Sequence, residues 1–278
     1  MANLRTGVVI SAGSAREFAE LAVTAEKAGW DAIFTYEAIW GQDAWITMTA
    51  AAMQTSTIRI GALLTPLARV RPWELAGRAA TLDVLSGGRL QVAVGLGALH
   101  PGWLAFERDE GRKVRAEKVD EGLAIYDGLM HGQPYEFNGK HYEVHPTDFL
   151  IPPTSIQRPR VPVWVVGAHP APKSLRRAAQ WDGILPAKVG YGLEKPFMAD
   201  DMADVVAAVR PLREEFGLPW EGYDVVAEGV SEPGSAGDAT AKEWVAAGAT
   251  WWVESDWSMG DDAVQRHRAR IEAGPPRA

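Results

Sequence analysis

Residues 58–97 read IRIGALLTPLARVRPWELAGRAATLDVLSGGRLQVAVGLG, and this stretch decides the fold. Two apolar, β-branched runs, Ile58 to Leu64 and Leu90 to Val94, bracket one helical pattern. In that pattern Leu75, Ala79, Leu82 and Leu85 recur at helical spacing, and Pro72 stands where a first helical turn accepts it. Thr65-Pro66 closes the first run; Gly87-Gly88 opens the second, and Gly95 and Gly97 close it. A strand, a crossover helix and a second continuous apolar strand form a βαβ unit with a buried parallel sheet. Small or turn-forming residues at both strand ends suit a close backbone approach.

The same alternation continues on both sides. Thr6–Ser11 and Asp31–Tyr36 read as strands before this unit, with a helix opened by the Ser14/Glu17 capping box between them. After it come a long helix, Arg112–Met130, and strands at Val163–Val166, Gly183–Leu185, Asp224–Val230 and Ala249–Glu254, each followed by a helical pattern. One exception interrupts the order. Tyr135–Phe137 and His141–Val144 flank Asn138-Gly139, a type I′ hairpin signal, and the Pro-rich segment Ile151–Pro162 follows. Eight strand–helix pairs without a dividing linker predict an α/β fold, a single (β/α)8 TIM barrel over residues 1–278. The hairpin and its loop are inserted between helix 4 and strand 5. A doubly wound open sheet is the alternative.

Composition narrows the function. A net charge of -8 lacks the basic surplus expected for nucleic acid or an anionic membrane. The absence of cysteine excludes disulfides, thiolate metal sites and a cysteine nucleophile. No run approaches the ~20 apolar residues of a membrane helix, and the N-terminus lacks the apolar core of a signal peptide; a soluble cytoplasmic protein is expected. Most of the twelve tryptophans are expected in the core and at subunit contacts.

In such a barrel the ligand site lies at the C-terminal ends of the strands. Those ends carry few ionisable groups and no His/Asp/Glu cluster with metal spacing, so no metal is expected. Glu37, Glu228 and Glu254 are the acids among them, without spacing that singles out a glycosidase pair. His141 and His145 fall beside the hairpin and read as surface residues. Gly95-Leu96-Gly97-Ala98-Leu99-His100 begins like a dinucleotide fingerprint and lacks its third glycine. Gly167-Ala168-His169-Pro170 joins a strand to a helix N-terminus, where free N–H groups suit either an anion or a simple capped turn.

These motifs together resemble the luciferase-like, flavin-dependent monooxygenase family. The resemblance rests on residues 58–97 with their LSGGRL, on RPRVPVWVVGAHP at 158–170, on RRAAQWDG at 176–183, and on AGATWWVES at 247–255, and covers nearly the whole chain. It implies an oxidoreductase that uses reduced FMN and oxygen to oxidise a small organic substrate. The alternatives are hydride transfer with the deazaflavin F420, or flavin binding without catalysis. The resemblance further implies that the flavin ring lies against Ala62, Leu63 and Leu64, with a non-proline cis peptide at Leu63-Leu64. Gly97 and Ala98 would flank the ring, and Gly167, Ala168 and His169 would meet the phosphate. Many members carry an acid followed by histidine after strand two; here Glu37 is followed by Ala38, which leaves proton transfer to Glu37, to Tyr36, to a residue elsewhere, or to none. A partner flavin reductase, and a homodimer through the helices beside strands two and three that include Trp45 and Met48, complete the expectation.

Overall fold

The computed structural model describes residues 4–99, 101–147, 155–189 and 197–278. In chain order it places β1 (Arg5–Val9), α1 (Ala15–Ala28), β2 (Ala32–Thr35), α2 (Ala44–Ala52), β3 (Arg59–Ala62), β4 (Thr65–Pro66), α3 (Pro72–Ser86), β5 (Leu90–Gly95), α4 (Pro101–Leu104) and α5 (Arg112–His131). There follow β6 (Tyr135–Asn138), β7 (Glu143–Thr147), β8 (Val163–His169), α6 (Pro172–Ala179), β9 (Gly183–Lys188), α7 (Ala199–Glu215), β10 (Asp224–Gly229), α8 (Ser235–Ala246), β11 (Trp251–Glu254) and α9 (Ala263–Glu272). Strands β3, β2, β1, β11, β10, β9, β8 and β5 are neighbours in that order, and β3 pairs with β5, so the parallel sheet closes on itself. This is the TIM barrel the sequence predicts, with the hairpin β6–β7 set between α5 and β8.

Side-chain parity divides the core in two. One set of apolar residues, including Val8, Ile60, Val92, Val165 and Val225, packs outward on the helices. The other, including Phe34, Leu63, Trp164, Leu185, Val226, Trp251 and Val253, fills the lumen. Trp164 lies 5.6 Å from Phe34 and 5.0 Å from Trp251, centroid to centroid, and plugs the barrel floor. Beneath it, Asp224 accepts from Trp164 Nε1 at 2.9 Å and pairs with Arg5. The floor is therefore closed, and only the C-terminal mouth is open to a ligand.

Three local readings are corrected. The run Ile58–Leu64 is not one strand: β3 stops at Ala62 and the two-residue β4 resumes pairing with β5, while the Leu63-Leu64 peptide between them is cis, as the family resemblance implies. The fifth barrel strand does not end at Val166 but runs to His169, which pairs with Lys188. The hairpin turn is not a two-residue type I′ turn, which needs positive φ at both Asn138 and Gly139; neither has one. Instead Gly139 N–H bonds Tyr142 C=O, and the carboxylate of Glu121 on α5 accepts N–H bonds from Lys140, His141 and Tyr142, which holds a wider loop. Residues 151–154 of the Pro-rich segment, and His100, lie outside the described residues.

Trp45 and Met48, expected at a subunit contact, are instead buried against the barrel at 8% and 1% exposure; the exposed apolar residues on and next to α2 are Ile46 and Met53. No described helix is long and apolar enough to cross a membrane.

The approach to β3 is held by one carboxylate. Glu26 of α1 accepts N–H bonds from Ser56, Thr57 and Ile58 and the hydroxyl of Thr57, at 2.6–3.0 Å. Burial opposes its charge, but these bonds outweigh it and bring the carboxyl down to about 2. A lowered folded pKa gives stability that is present above the unfolded value and lost as pH falls toward the folded one. The urea midpoint of the parent should therefore exceed that of Glu26→Gln above pH ~4.5, with the gap closing toward pH ~2. A gap that does not change with pH would remove Glu26 from this role.

Candidate active site

The mouth of the barrel holds a cavity of about 610 Å³. Its walls come from the ends of successive strands: Tyr36 and Glu37 after β2, Leu63 and Leu64 between β3 and β4, Leu96 to Leu99 after β5, Val166 and Ala168 of β8, and Ala187 and Lys188 of β9. Small residues at Gly97, Ala98, Ala168 and Ala187 leave room for a flat ligand against backbone. Trp103, Trp257, Arg112 and Arg115 complete the lining.

The loop after β5 is fixed by two arginines. Gly97 has φ +80°, and its carbonyl accepts from Arg115 Nη1 at 2.9 Å. Arg69, which follows β4, donates from Nη2 to the Ala98 carbonyl at 3.1 Å, meets Glu107 at 3.0 Å, and lies 4.2 Å from the Trp103 ring centroid. Arg69 Nη1 is buried without a hydrogen-bond partner among the described residues. The charged rim consists of Arg112, which has no hydrogen bond or ion pair among the described residues, Arg115, and Lys188, which is paired with Asp201 at 2.5 Å.

The residues expected from the sequence separate here. Leu63, Leu64, Gly97, Ala98, Ala168 and Glu37 share the cavity wall; Ala62, Gly167 and His169 do not line it. A Cβ on Gly167 would meet Ile184 Cδ1 at 2.3 Å and Ala178 Cβ at 3.2 Å, so this glycine faces α6. The Ala168 N–H is taken by Ser174 Oγ at 3.0 Å. Glu37 accepts from Thr65 Oγ1 at 2.7 Å and Trp45 Nε1 at 3.4 Å, with Arg78 at 3.9 Å. Burial raises its pKa, against these three contacts. Reading the sequence missed Arg69, Arg112 and Arg115, because charges in loops and first helical turns have the same signature as solvated surface; Lys188 is legible as the end of its strand.

No group of three or more His, Cys, Asp or Glu that could hold a metal occurs among the described residues. A profile of the luciferase-like monooxygenase family matches residues 2–273. A Mycobacterium tuberculosis protein with the provisional name coenzyme F420-dependent oxidoreductase is 33% identical over 181 residues; the match covers 60% of this chain and 50% of that relative. The chain thus aligns with only half the length of this curated relative. The coenzyme F420-dependent tetrahydromethanopterin reductase of Methanopyrus kandleri superposes with a TM-score of 0.76 at 18% identity, over 98% of this chain and 99% of that one. The oxygenating constituent of 3,6-diketocamphane monooxygenase from Pseudomonas putida, solved with FMN, superposes with a TM-score of 0.64 at 18% identity, over 87% and 71%. The chain belongs to the luciferase-like monooxygenase family.

Proposed function

We propose that the protein is an oxidoreductase that binds a flavin-type cofactor in the mouth cavity and acts with it on a small organic substrate. The observation that carries this reading is the cavity itself: small and apolar residues of the β3 and β5 ends on its wall, and Arg112, Arg115 and Lys188 on its lining. A planar tricyclic ring suits the first; a phosphate-bearing tail suits the second. When bound, the cofactor supplies the two-electron chemistry, and the chain supplies orientation and exclusion of water. Leu63 and Leu64 press on the ring, Gly97 and Ala98 admit it close to backbone, and Glu37 fixes Thr65 and hence the β3–β4 junction beside it. Ala62 supports this wall from behind, and the Gly167-Ala168-His169 segment bounds the tail's side through Ala168.

Between the two cofactors, deazaflavin F420 is favoured. Its tail carries more negative charge than that of FMN, which matches the cations lining the cavity. The name of the M. tuberculosis relative points the same way. Reduced FMN with oxygen is the second reading, supported by the likeness to the FMN-bound monooxygenase constituent; that chemistry would call on a flavin reductase, whereas F420 would not. A homodimer through α2, using Ile46 and Met53, fits either.

Anaerobic titration of the protein with F420, FMN and reduced FMN, followed by absorbance and fluorescence, tests the proposal. F420 is expected to saturate the protein most tightly, with an affinity that falls as salt rises. Tighter binding of reduced FMN would shift the assignment to the monooxygenase reading, and no binding by any of the three would overturn the proposal.

A further inference from the structure

Of the strand-end carboxylates Glu37, Glu228 and Glu254, Glu228 alone has no hydrogen bond or ion pair among the described residues. Glu228 is the fifth residue of β10, and β10 alternates strictly. Val225 and Ala227 pack outward on the helices, while Val226 is in the lumen. Two residues on from Val226, Glu228 points inward, and its register partner on β11 is the lumen residue Val253. The β9–β10 register pairs Asp224 with Gly183 and Val225 with Ile184. Continued along the strands, it brings Glu228 level with Ala187, which lines the cavity; Glu228 itself stands beside that wall and is not part of it. Val226 and Leu185 form the layer directly below and are buried, so the side chain of Glu228 stands above the closed floor, on the open face.

Glu228 is exposed at the mouth, and it makes no hydrogen bond or ion pair among the described residues. The charges near it are committed elsewhere. On β9, Lys188 is paired with Asp201 of α7. On β11, Glu254 has the opposite parity and faces Arg270 of α9 at 3.0 Å and Ser231 at 2.7 Å. Although its surface is exposed, the strand ends crowded around Glu228 desolvate it and push the carboxyl up to about 7. A partly desolvated acid without a counter-charge, on the ligand-facing end of a barrel strand, has the properties of a proton-transfer group rather than a structural one. Glu37 differs on each count, since Thr65, Trp45 and Arg78 already surround its carboxylate.

We propose that Glu228 is the catalytic acid–base residue of this site, acting on a carbonyl or alcohol oxygen of a small substrate. The proposal rests on the oxidoreductase reading above. In the reducing direction the O–H bond of the Glu228 carboxyl breaks and an O–H bond forms at the substrate oxygen. The substrate carbon receives its two electrons and hydrogen from the reduced cofactor, and the Glu228 carboxylate regains a proton from water. In the oxidising direction Glu228 accepts the alcohol proton. The position takes over the task that the alanine at position 38 cannot perform.

Two measurements test this. The first uses the protein without cofactor: a carboxyl titrating near pH 7, seen by infrared difference spectroscopy and absent from Glu228→Gln. The same group should make the parent lose stability relative to Glu228→Gln as pH rises from ~4.5 through ~7, because a raised folded pKa stabilises only the protonated form. The second uses the cofactor that titration identifies. Glu228→Gln should bind it within about threefold of the parent while kcat falls ~10²-fold or more and the pH limb near 7 disappears. A carboxyl titrating in the ordinary range near 4, or a variant whose kcat and pH profile match the parent while cofactor is bound, would overturn the role of Glu228. Failure of the parent itself to bind any flavin-type cofactor would instead overturn the oxidoreductase reading and leave the titration result to stand alone.

Discussion

Replacing Gly183 with valine is expected to overpack the barrel floor and lower Tm by about 10 °C or more. Gly183 opens β9 and faces the lumen floor, in register with Trp164 and with Asp224. A Cβ there would lie 2.6 Å from Trp164 Cδ1, 2.7 Å from Asp224 Cβ and 2.8 Å from the Asp224 carbonyl oxygen. The oxygen is backbone and belongs to the adjacent strand, so it cannot swing away. Trp164 has no room to move either: it is fully buried between Phe34 and Trp251 and its Nε1 is bonded to Asp224. Overpacking a rigid core costs about 3 kcal/mol or more, and a domain of this size loses about 10 °C in Tm for that. Gly77 is the internal control. It sits in α3 with nothing within 4 Å of the Cβ position, so Gly77→Ala is expected to leave stability unchanged or raise it by ~0.5–1 kcal/mol. Thermal unfolding followed by circular dichroism separates the two, and a Gly183→Val protein that melts with the parent would refute the close-packed floor.

The barrel is legible in the sequence because each buried parallel strand is a short apolar run and each helix has a start or stop residue beside it. Ser14 and Glu17 illustrate this: the box is present, with Ser14 N–H to Glu17 Oε2 at 2.7 Å and Glu17 N–H to Ser14 Oγ at 3.2 Å. What fails to show is whatever another element decides. Asn138-Gly139 is a strong local turn signal, and the carboxylate of Glu121, 17 and 18 positions earlier in the chain, overrides it. Leu63-Leu64 continues an apolar run, so composition alone does not mark the break in pairing, which only the family resemblance places there. The helix AWITMTAAA has no charged residue, so the side that faces the barrel is not written in it, and Trp45 and Met48 prove to be on that side. At the site, the strand ends give Leu63, Leu64, Gly97, Ala98 and Glu37. Glu228 is visible as a strand-end acid, but its isolation from any counter-charge depends on the outward parity of Glu254 and on the Lys188–Asp201 pair, which only the folded chain brings together.

Gly97→Ala is expected to leave the barrel standing and disable its mouth. The residue lies past the end of β5, at φ +80°, where an L side chain costs ~1–2 kcal/mol. The added methyl would meet Arg69 Nη1 at 2.2 Å and Pro66 Cβ at 2.9 Å. Pro66 belongs to β4 and is held by its pairing with Gly95, so Arg69 must yield. Its guanidinium is only 9% exposed and is committed to Glu107, to the Ala98 carbonyl and to the face of Trp103. Displacing it frees the loop that presents Gly97 and Ala98 and loosens the Gly97 carbonyl from Arg115. The floor of the barrel, built from Phe34, Trp164 and Trp251, is untouched, so the loss in Tm should stay within about 5 °C, well short of that for Gly183→Val. Cofactor affinity should fall far more than stability, by ~10-fold or more, since the altered loop forms one wall of the cavity and each 1.4 kcal/mol of misfit is tenfold. Titration of Gly97→Ala and parent with the cofactor, beside their melting curves, gives both numbers at once. Equal affinities in a folded variant would mean that the cofactor does not lie against this turn, and the ring would have to be placed elsewhere in the mouth.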